Sequence, residues 1–286
     1  MLSAIKFKSF DGKVLDGKIQ LPKGEIKGAF LMLHGCPSYM DEYGFYSNAV
    51  SKLYPNGGMA EFLASNSYAS LRFNYREQGK DVIPDTMEDL TISGMINDTE
   101  AAYWELTRKL SNSDIPIYVI ATSFAGGIAV KWVNVFHRDI KKIFFACPLV
   151  DLSYTLLKRD VIFFDGEEWH IHDKYISEMK ERGYIISGGK KVNSAFANEA
   201  MLINVENEFS LLKCKSIIFH GDIDTFVPIS QSRRIAKLFS DVTLIEYADA
   251  GHGFVAPWDK GLPEEVRLKI RAKNTNDIYA KILENI

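Results

Sequence analysis

The chain has 286 residues, 47% of them apolar and 25% charged, and its 34 basic against 37 acidic side chains leave a formal net charge of −3. That balance suits an ordinary globular fold and offers no basic footprint for a nucleic acid, and no stretch stays apolar for long enough to span a bilayer. Lys6, Lys8 and Asp11 break up the apolar residues near the amino terminus, so no secretory leader can be drawn there, while Cys36, Cys147 and Cys214 are too scattered for a disulfide framework or a CxxC motif. The expectation is a cytoplasmic protein with reduced thiols, no nucleic-acid partner and no integral membrane segment; a homodimer is left open.

Residues 5 to 21 alternate apolar and polar side chains around Asp11-Gly12 and Asp16-Gly17, the pattern of antiparallel strands joined by tight turns. Short continuous apolar runs follow, separated by helical stretches: GAFLMLHG at 28–35, YASLRFN at 68–74, IPIYVIATS at 115–123, KKIFFACP at 141–148, KSIIFHG at 215–221 and DVTLIEY at 241–247. Runs without alternation suit strands buried on both faces, and helices between such strands make right-handed crossovers to a parallel sheet. The fold class expected is a doubly wound α/β architecture, its core formed by residues 1–150 and 211–286.

Three stretches depart from that alternation. Residues 36–58, rich in Tyr, Ser, Asn, Pro and Gly, read as a long connection ahead of a helix at 59–66. Residues 151–210 lie between two predicted strands and carry Tyr154, Phe163, Phe164, Trp169 and Tyr175; they read as an inserted cap. Val266, Ile270, Ile278, Ile282 and Leu283 recur at helical spacing and predict a terminal helix over 264–285.

Ser123 stands where the run I-Y-V-I-A-T ends and the helical pattern A-G-G-I-A-V begins. A sharp strand-to-helix turn there would push the serine out over the sheet edge, and it demands small residues two before and two after, here Ala121 and Ala125. The pattern is A-x-S-x-A where G-x-S-x-G is usual, so the segment also reads as a plain helix N-cap. The helix start would present the Phe124 N–H to a developing oxyanion. A serine hydroxyl needs a base and a group that fixes the base's tautomer. His252 lies in the glycine-flanked A-D-A-G-H-G-F after the last strand, and Asp224 follows the strand before it in H-G-D-I-D-T-F-V-P.

With these segments, L-H-G-C-P at 33–37 and R-F-N-Y-R-E-Q-G at 72–79, the chain resembles the α/β-hydrolase superfamily over roughly residues 25 to 285, closest in flavour to cap-bearing esterases and S33-type peptidases. The order Ser123, Asp224, His252 is that superfamily's order. The resemblance implies a mostly parallel eight-stranded sheet with an inserted helical cap, Ser123 as nucleophile, His252 as general base and Asp224, rather than Asp222, as the acid. It places the second oxyanion donor at the backbone N–H of Cys36, whose thiol has the alternative reading of a second nucleophile. His34 and His220 become loop-orienting residues. Asn74 and Glu77 depart from the usual D-x-R-G-x-G, which puts the local turn geometry in question.

No cofactor is called for. His170 and His172 have no third ligand at a persuasive spacing, so no metal is expected. Glu167, Glu168 and Asp173 read either as solvated charges or as a greeting for a cationic group. The implied activity is hydrolysis of a small-molecule acyl ester. Acyltransferase, thioesterase, S33-type peptidase and C–C bond hydrolase remain rivals on the same triad, and a binding protein on a hydrolase scaffold is the rival of another class.

Overall fold

The computed structural model describes residues 1–46, 57–79, 86–110, 114–154, 162–164, 169–187, 190–257 and 260–286. Its first half contains strands β1 (Leu2–Lys8), β2 (Val14–Gln20), β3 (Gly28–Leu33), β4 (Tyr68–Phe73), β5 (Thr86–Met87), β6 (Ile117–Thr122) and β7 (Lys142–Ala146), with helices α1 (Met59–Ser65), α2 (Ile92–Leu110) and α3 (Ala125–Phe136). The second half adds β8 (Ile162–Phe164), β9 (Trp169–Ile171), β10 (Tyr184–Ser187), β11 (Lys190–Asn193), β12 (Lys215–Gly221) and β13 (Val242–Tyr247). Its helices are α4 (Asp173–Arg182), α5 (Ser194–Leu202), α6 (Val205–Glu208), α7 (Ile229–Leu238) and α8 (Glu264–Glu284).

Eight strands form one sheet in the order β1-β2-β4-β3-β6-β7-β12-β13. Only the β1–β2 and β2–β4 pairs are antiparallel; β4, β3, β6, β7, β12 and β13 run parallel. The continuous apolar runs have the burial that produces this. Along β3, Leu31 and Leu33 join one core layer with α2, α3 and α7, while Phe30 and Met32 join the other with Met59 and Leu63 of α1 and Ile278 and Ile282 of α8. Helices cover both faces, so alternate residues are apolar on both sides. Each such side chain removed from water contributes roughly 1.5–3 kcal/mol.

Asp11-Gly12 makes the β1–β2 turn as expected, with Gly12 at φ 86°. Asp16-Gly17 does not turn. It lies inside β2, where a side chain at Gly17 would meet the Phe7 ring at 3.1 Å and the Arg72 carbonyl at 3.2 Å, so glycine there marks a close approach. The segment 151–210, expected to be a helical cap, contains strands as well as helices. Besides α4, α5 and α6 it holds the hairpins β8–β9 and β10–β11, and β11 takes β5 as a parallel neighbour from the core half of the chain.

Candidate active site

β6 ends at Thr122, α3 begins at Ala125, and Ser123 in the turn between them adopts φ 52°. A non-glycine residue in the left-handed region is strained unless its surroundings hold it there. Here the Ser123 N–H donates to Ala146 O at 2.9 Å, and its carbonyl accepts from Gly126 at 2.9 Å and Leu149 at 2.8 Å. The crowding asked of the flanking residues is real: Ala121 and Ala125 are fully buried, and a Cβ on Gly126 would lie 2.5 Å from Pro148 Cβ. Opposite the serine, a Cβ on Gly35 would stand 3.1 Å from Ser123 Cβ and 3.6 Å from its Oγ. The backbone after His34 therefore forms the wall beside Ser123. Among the described residues the Ser123 hydroxyl makes no hydrogen bond, and the Phe124 N–H is bonded to no backbone carbonyl.

Asp224 follows β12 and is buried. Its Oδ1 accepts the N–H groups of Phe226 at 2.8 Å and Val227 at 3.0 Å, and its Oδ2 accepts from His252 Nδ1 at 2.7 Å. Burial works against its charge, but hydrogen bonds from His220, His252 and Val227 outweigh burial and hold the carboxyl well below the usual carboxylate range. Burial likewise penalises the His252 imidazolium, yet the pairing with Asp224 and the contact with the Cys147 thiol push it up, well above the ordinary 6.5. The two loops meet because of Gly221, where a Cβ would fall 2.2 Å from Ala250 O. From behind, α8 braces the histidine loop: Asn274 Nδ2 donates to Phe254 O at 3.1 Å and Arg267 Nε to Ala256 O at 2.7 Å.

The other two strand-end histidines are held by hydrogen bonds at both ring nitrogens. His34 Nδ1 donates to Gly35 O at 2.7 Å, which leaves Nε2 to accept the Tyr75 N–H at 3.3 Å; burial pushes its pKa down to about 4. His220 Nε2 faces Val227 O at 3.0 Å and the Asp224 carboxylate at 3.4 Å, both acceptors, so this nitrogen carries the proton, while Nδ1 pairs with Ser232 Oγ at 2.8 Å. That protonation bears on metal binding. Donor atoms of Cys147, His220 and Asp224 lie within 4.8 Å of one another, but a ring nitrogen bearing hydrogen has no lone pair to give. The cluster is a hydrogen-bonded one and a poor fit for a metal.

The segment 72–79 clamps the loop that follows Gly35. Asn74 Oδ1 accepts the Met40 N–H at 2.7 Å, Gln78 Oε1 accepts the Ser38 N–H at 3.1 Å, and Arg72 Nε donates to Asp41 at 2.9 Å. An amide at position 74 thus accepts the hydrogen bond that a carboxylate there could accept. Glu77 sits at φ 56°, where glycine would be unstrained, and its carboxylate receives the N–H groups of Asp89 and Leu90, both at 2.9 Å. Beneath the site the Tyr46 hydroxyl donates to Leu33 O at 2.9 Å and pairs with Thr122 Oγ1, tying together the ends of β3 and β6.

Two groups at the site were not singled out from sequence. Cys147, which reads as a core thiol, ends β7 at φ 46° and lies buried against the His252 ring. Glu42, inside the long 36–58 connection, faces the Gly35 N–H and the Ser38 hydroxyl, and its carboxyl feels His252. The register of β6 against β7, which pairs Thr122 with Ala146, was the one signal that could have pointed to Cys147. Cys36 follows Gly35 and is partly buried. Of the residues named in 151–210, Tyr154 is partly buried, Tyr175 is buried and Asp173 opens α4 at the surface; Glu167, Glu168 and the side chains of Phe163, Phe164, Trp169 and His170 lie outside the described residues, and His172 is exposed. Phe226 is 57% exposed with its ring 5.6 Å from that of His252. The three cysteines are free, and among the described residues no helix is long and apolar enough to cross a membrane.

No protein-family model and no curated protein matches the sequence. Solved structures do match in fold. Est1E from Butyrivibrio proteoclasticus is similar over 98% of both chains at 18% identity and a TM-score of 0.67. The esterase domain of a Rhodothermus marinus protein is similar over 99% of this chain and 96% of that one, at 15% identity and a TM-score of 0.62. The Pyrococcus horikoshii acylaminoacyl peptidase is similar over 99% of this chain but only 41% of its own, at 14% identity and a TM-score of 0.64. Hydrolases with the α/β-hydrolase fold share this chain's architecture.

Proposed function

From this α/β-hydrolase fold we propose that the protein is a serine hydrolase that cleaves carboxylic esters through an acyl-enzyme, with Ser123, His252 and Asp224 as its triad. What supports the reading is the left-handed Ser123 turn against Gly35 at the same edge of the parallel sheet as a His252–Asp224 pair at 2.7 Å. A hydroxyl set on such a turn and an imidazole whose Nδ1 is fixed by a carboxylate are the groups that general-base activation needs.

In the proposed reaction Ser123 Oγ attacks the ester carbonyl carbon and its proton passes to His252 Nε2. Asp224 keeps the Nδ1 proton and stabilises the imidazolium. The carbonyl oxygen, now an anion, takes the N–H groups of Cys36 and Phe124, each such donor being worth roughly 10²- to 10³-fold in rate. The bond to the alcohol breaks as Nε2 returns the proton to the leaving oxygen. A water then attacks the acyl-enzyme by the same route and frees Ser123. The Ser123–His252 hydrogen bond closes when substrate packs against the serine, as such bonds tighten in the Michaelis complex.

The fold is shared with the esterase domain from Rhodothermus marinus and with Est1E, to which ferulic acid has been bound, which supports an ester as the first substrate to try. Fluorophosphonate labelling followed by intact-mass analysis tests the nucleophile: one adduct on the folded protein, mapped to Ser123, is expected. No adduct on folded protein removes the reading and favours a binding protein on the same scaffold. A panel of p-nitrophenyl esters, acyl-CoA thioesters and aminoacyl arylamides then ranks the bond cleaved, and faster arylamide than ester turnover makes it a peptidase.

A further inference from the structure

Glu42 brings a second carboxyl to the site. One face of Gly35 touches both it and the nucleophile: the point where a Gly35 Cβ would stand is 3.1 Å from Ser123 Cβ and 3.4 Å from Glu42 Oε1. Among the described residues Glu42 Oε2 is buried with no hydrogen-bond partner. A buried carboxyl oxygen left without a partner costs roughly 1–3 kcal/mol, so its retention beside the serine calls for a reason. The groups that face it come from several elements: Gly35 and Ser38 from its own loop, His252 from the loop after β13, Arg271 from α8 and Tyr46 from below. Burial pushes its pKa up to about 7, with His252 and Arg271 drawing it back toward ionisation.

We propose that Glu42 is a positioning residue for this reaction, a second carboxylate that acts through His252 by stabilising the imidazolium formed as Ser123 gives up its proton. The proposal rests on the serine-hydrolase reading for its catalytic consequence, but the electrostatic coupling it claims exists without substrate. Asp224 fixes the ring at Nδ1 by a hydrogen bond, and Glu42 adds negative charge from the side of the nucleophile. Below the pH at which Glu42 ionises the help is absent; above it, the charge favours a protonated ring. Two groups coupled in this way titrate as a pair, with two apparent steps.

The experiment follows the His252 ring protons by NMR across pH in the intact protein and its E42Q variant. Glutamine keeps the acceptor oxygen for Gly35 and Ser38 and removes only the charge. In the wild type two inflections are expected. In E42Q one is lost and the remaining one falls by about one pH unit, with a drop of about tenfold in plateau kcat and a parallel downward move of the acid limb of kcat/KM. A purely structural Glu42 leaves the His252 titration of E42Q the same as that of the wild type, and that result overturns the proposal. A single His252 inflection in the wild type overturns it too, whether or not the variant folds. Ester hydrolysis missing from a wild type that shows the coupled titration rejects the serine-hydrolase reading alone.

Discussion

Two neighbouring strands end alike and finish differently. β6 and β7 are paired with Thr122 opposite Ala146, and the next residue on each, Ser123 and Cys147, takes a left-handed backbone at φ 52° and φ 46°. Both carry a nucleophilic atom at the carboxyl edge of the sheet, and Cys147 lies against the His252 ring in one cluster with His220 and Asp224. Ser123 is partly exposed with Gly35 in front of it, whereas Cys147 is 1% exposed, covered by the loops after β12 and β13. Burial pushes the Cys147 thiol up, and the contact with His252 does not reverse that shift, so the sulfur stays protonated and weakly nucleophilic. The same turn conformation thus serves both residues; what lies above each decides whether a substrate can reach it.

The strongest way to break this comparison is to remove each atom in turn. S123A is expected to lose on the order of 10⁶-fold in kcat for a p-nitrophenyl ester, together with the fluorophosphonate adduct, whereas C147A stays within about tenfold of the wild type. The reverse pattern makes the thiol the nucleophile. D224N comes next, with a fall of about 10⁴-fold in kcat on the same ester, since the amide presents the wrong group to Nδ1. A D224N enzyme that keeps wild-type turnover assigns the histidine another partner.

Smaller effects sharpen the comparison. Pro148, directly after Cys147, packs on Gly126, directly after the serine turn, so G126A is expected to cost about 1–3 kcal/mol by overpacking, read from the urea midpoint. An alanine inside a helix ordinarily gains up to about 1 kcal/mol over glycine, so a rise in stability says that Pro148 gives way. A general base must be neutral to act, and the pairing with Asp224 holds His252 protonated to higher pH, which moves the rising limb of kcat/KM above the ordinary imidazole value of 6.5. A limb at or below that value says the pairing is weaker in solution than its 2.7 Å geometry implies. The smallest signal is chemical: iodoacetamide should leave Cys147 unmodified in the native protein and alkylate it in urea, as peptide mass mapping would read.

Much of the fold was legible because burial on both faces leaves a simple mark. The runs at 28–35, 68–74 and 215–221 read as parallel strands since residues such as Phe30 and Leu31 are both apolar yet face opposite layers. The strand-end positions of Ser123, Asp224 and His252 follow from the same pattern. What was not legible depends on contacts between distant segments. Nothing near Gly17 says that the Arg72 carbonyl will press on it, so a strand glycine looks like a turn. Asn74 and Glu77 look like departures from a motif until Met40 is seen donating to the first and the N–H groups of Asp89 and Leu90 to the second. Glu42 lies in a segment with no periodicity at all, and only the fold brings it to Gly35. The β8–β9 and β10–β11 hairpins are short enough that their pairing, β11 with β5 above all, is a tertiary event.

The bracing of the histidine loop by Asn274 and Arg267 has a consequence for when activity can arise. A ribosome releases Ser123 first, Asp224 about a hundred residues later and His252 soon after, but the helix that holds the His252 loop is made after all three. A nascent chain can therefore assemble its sheet and display the serine turn while its base still lacks support. On the proposed reading, catalytic competence waits until α8 has packed behind the His252 loop.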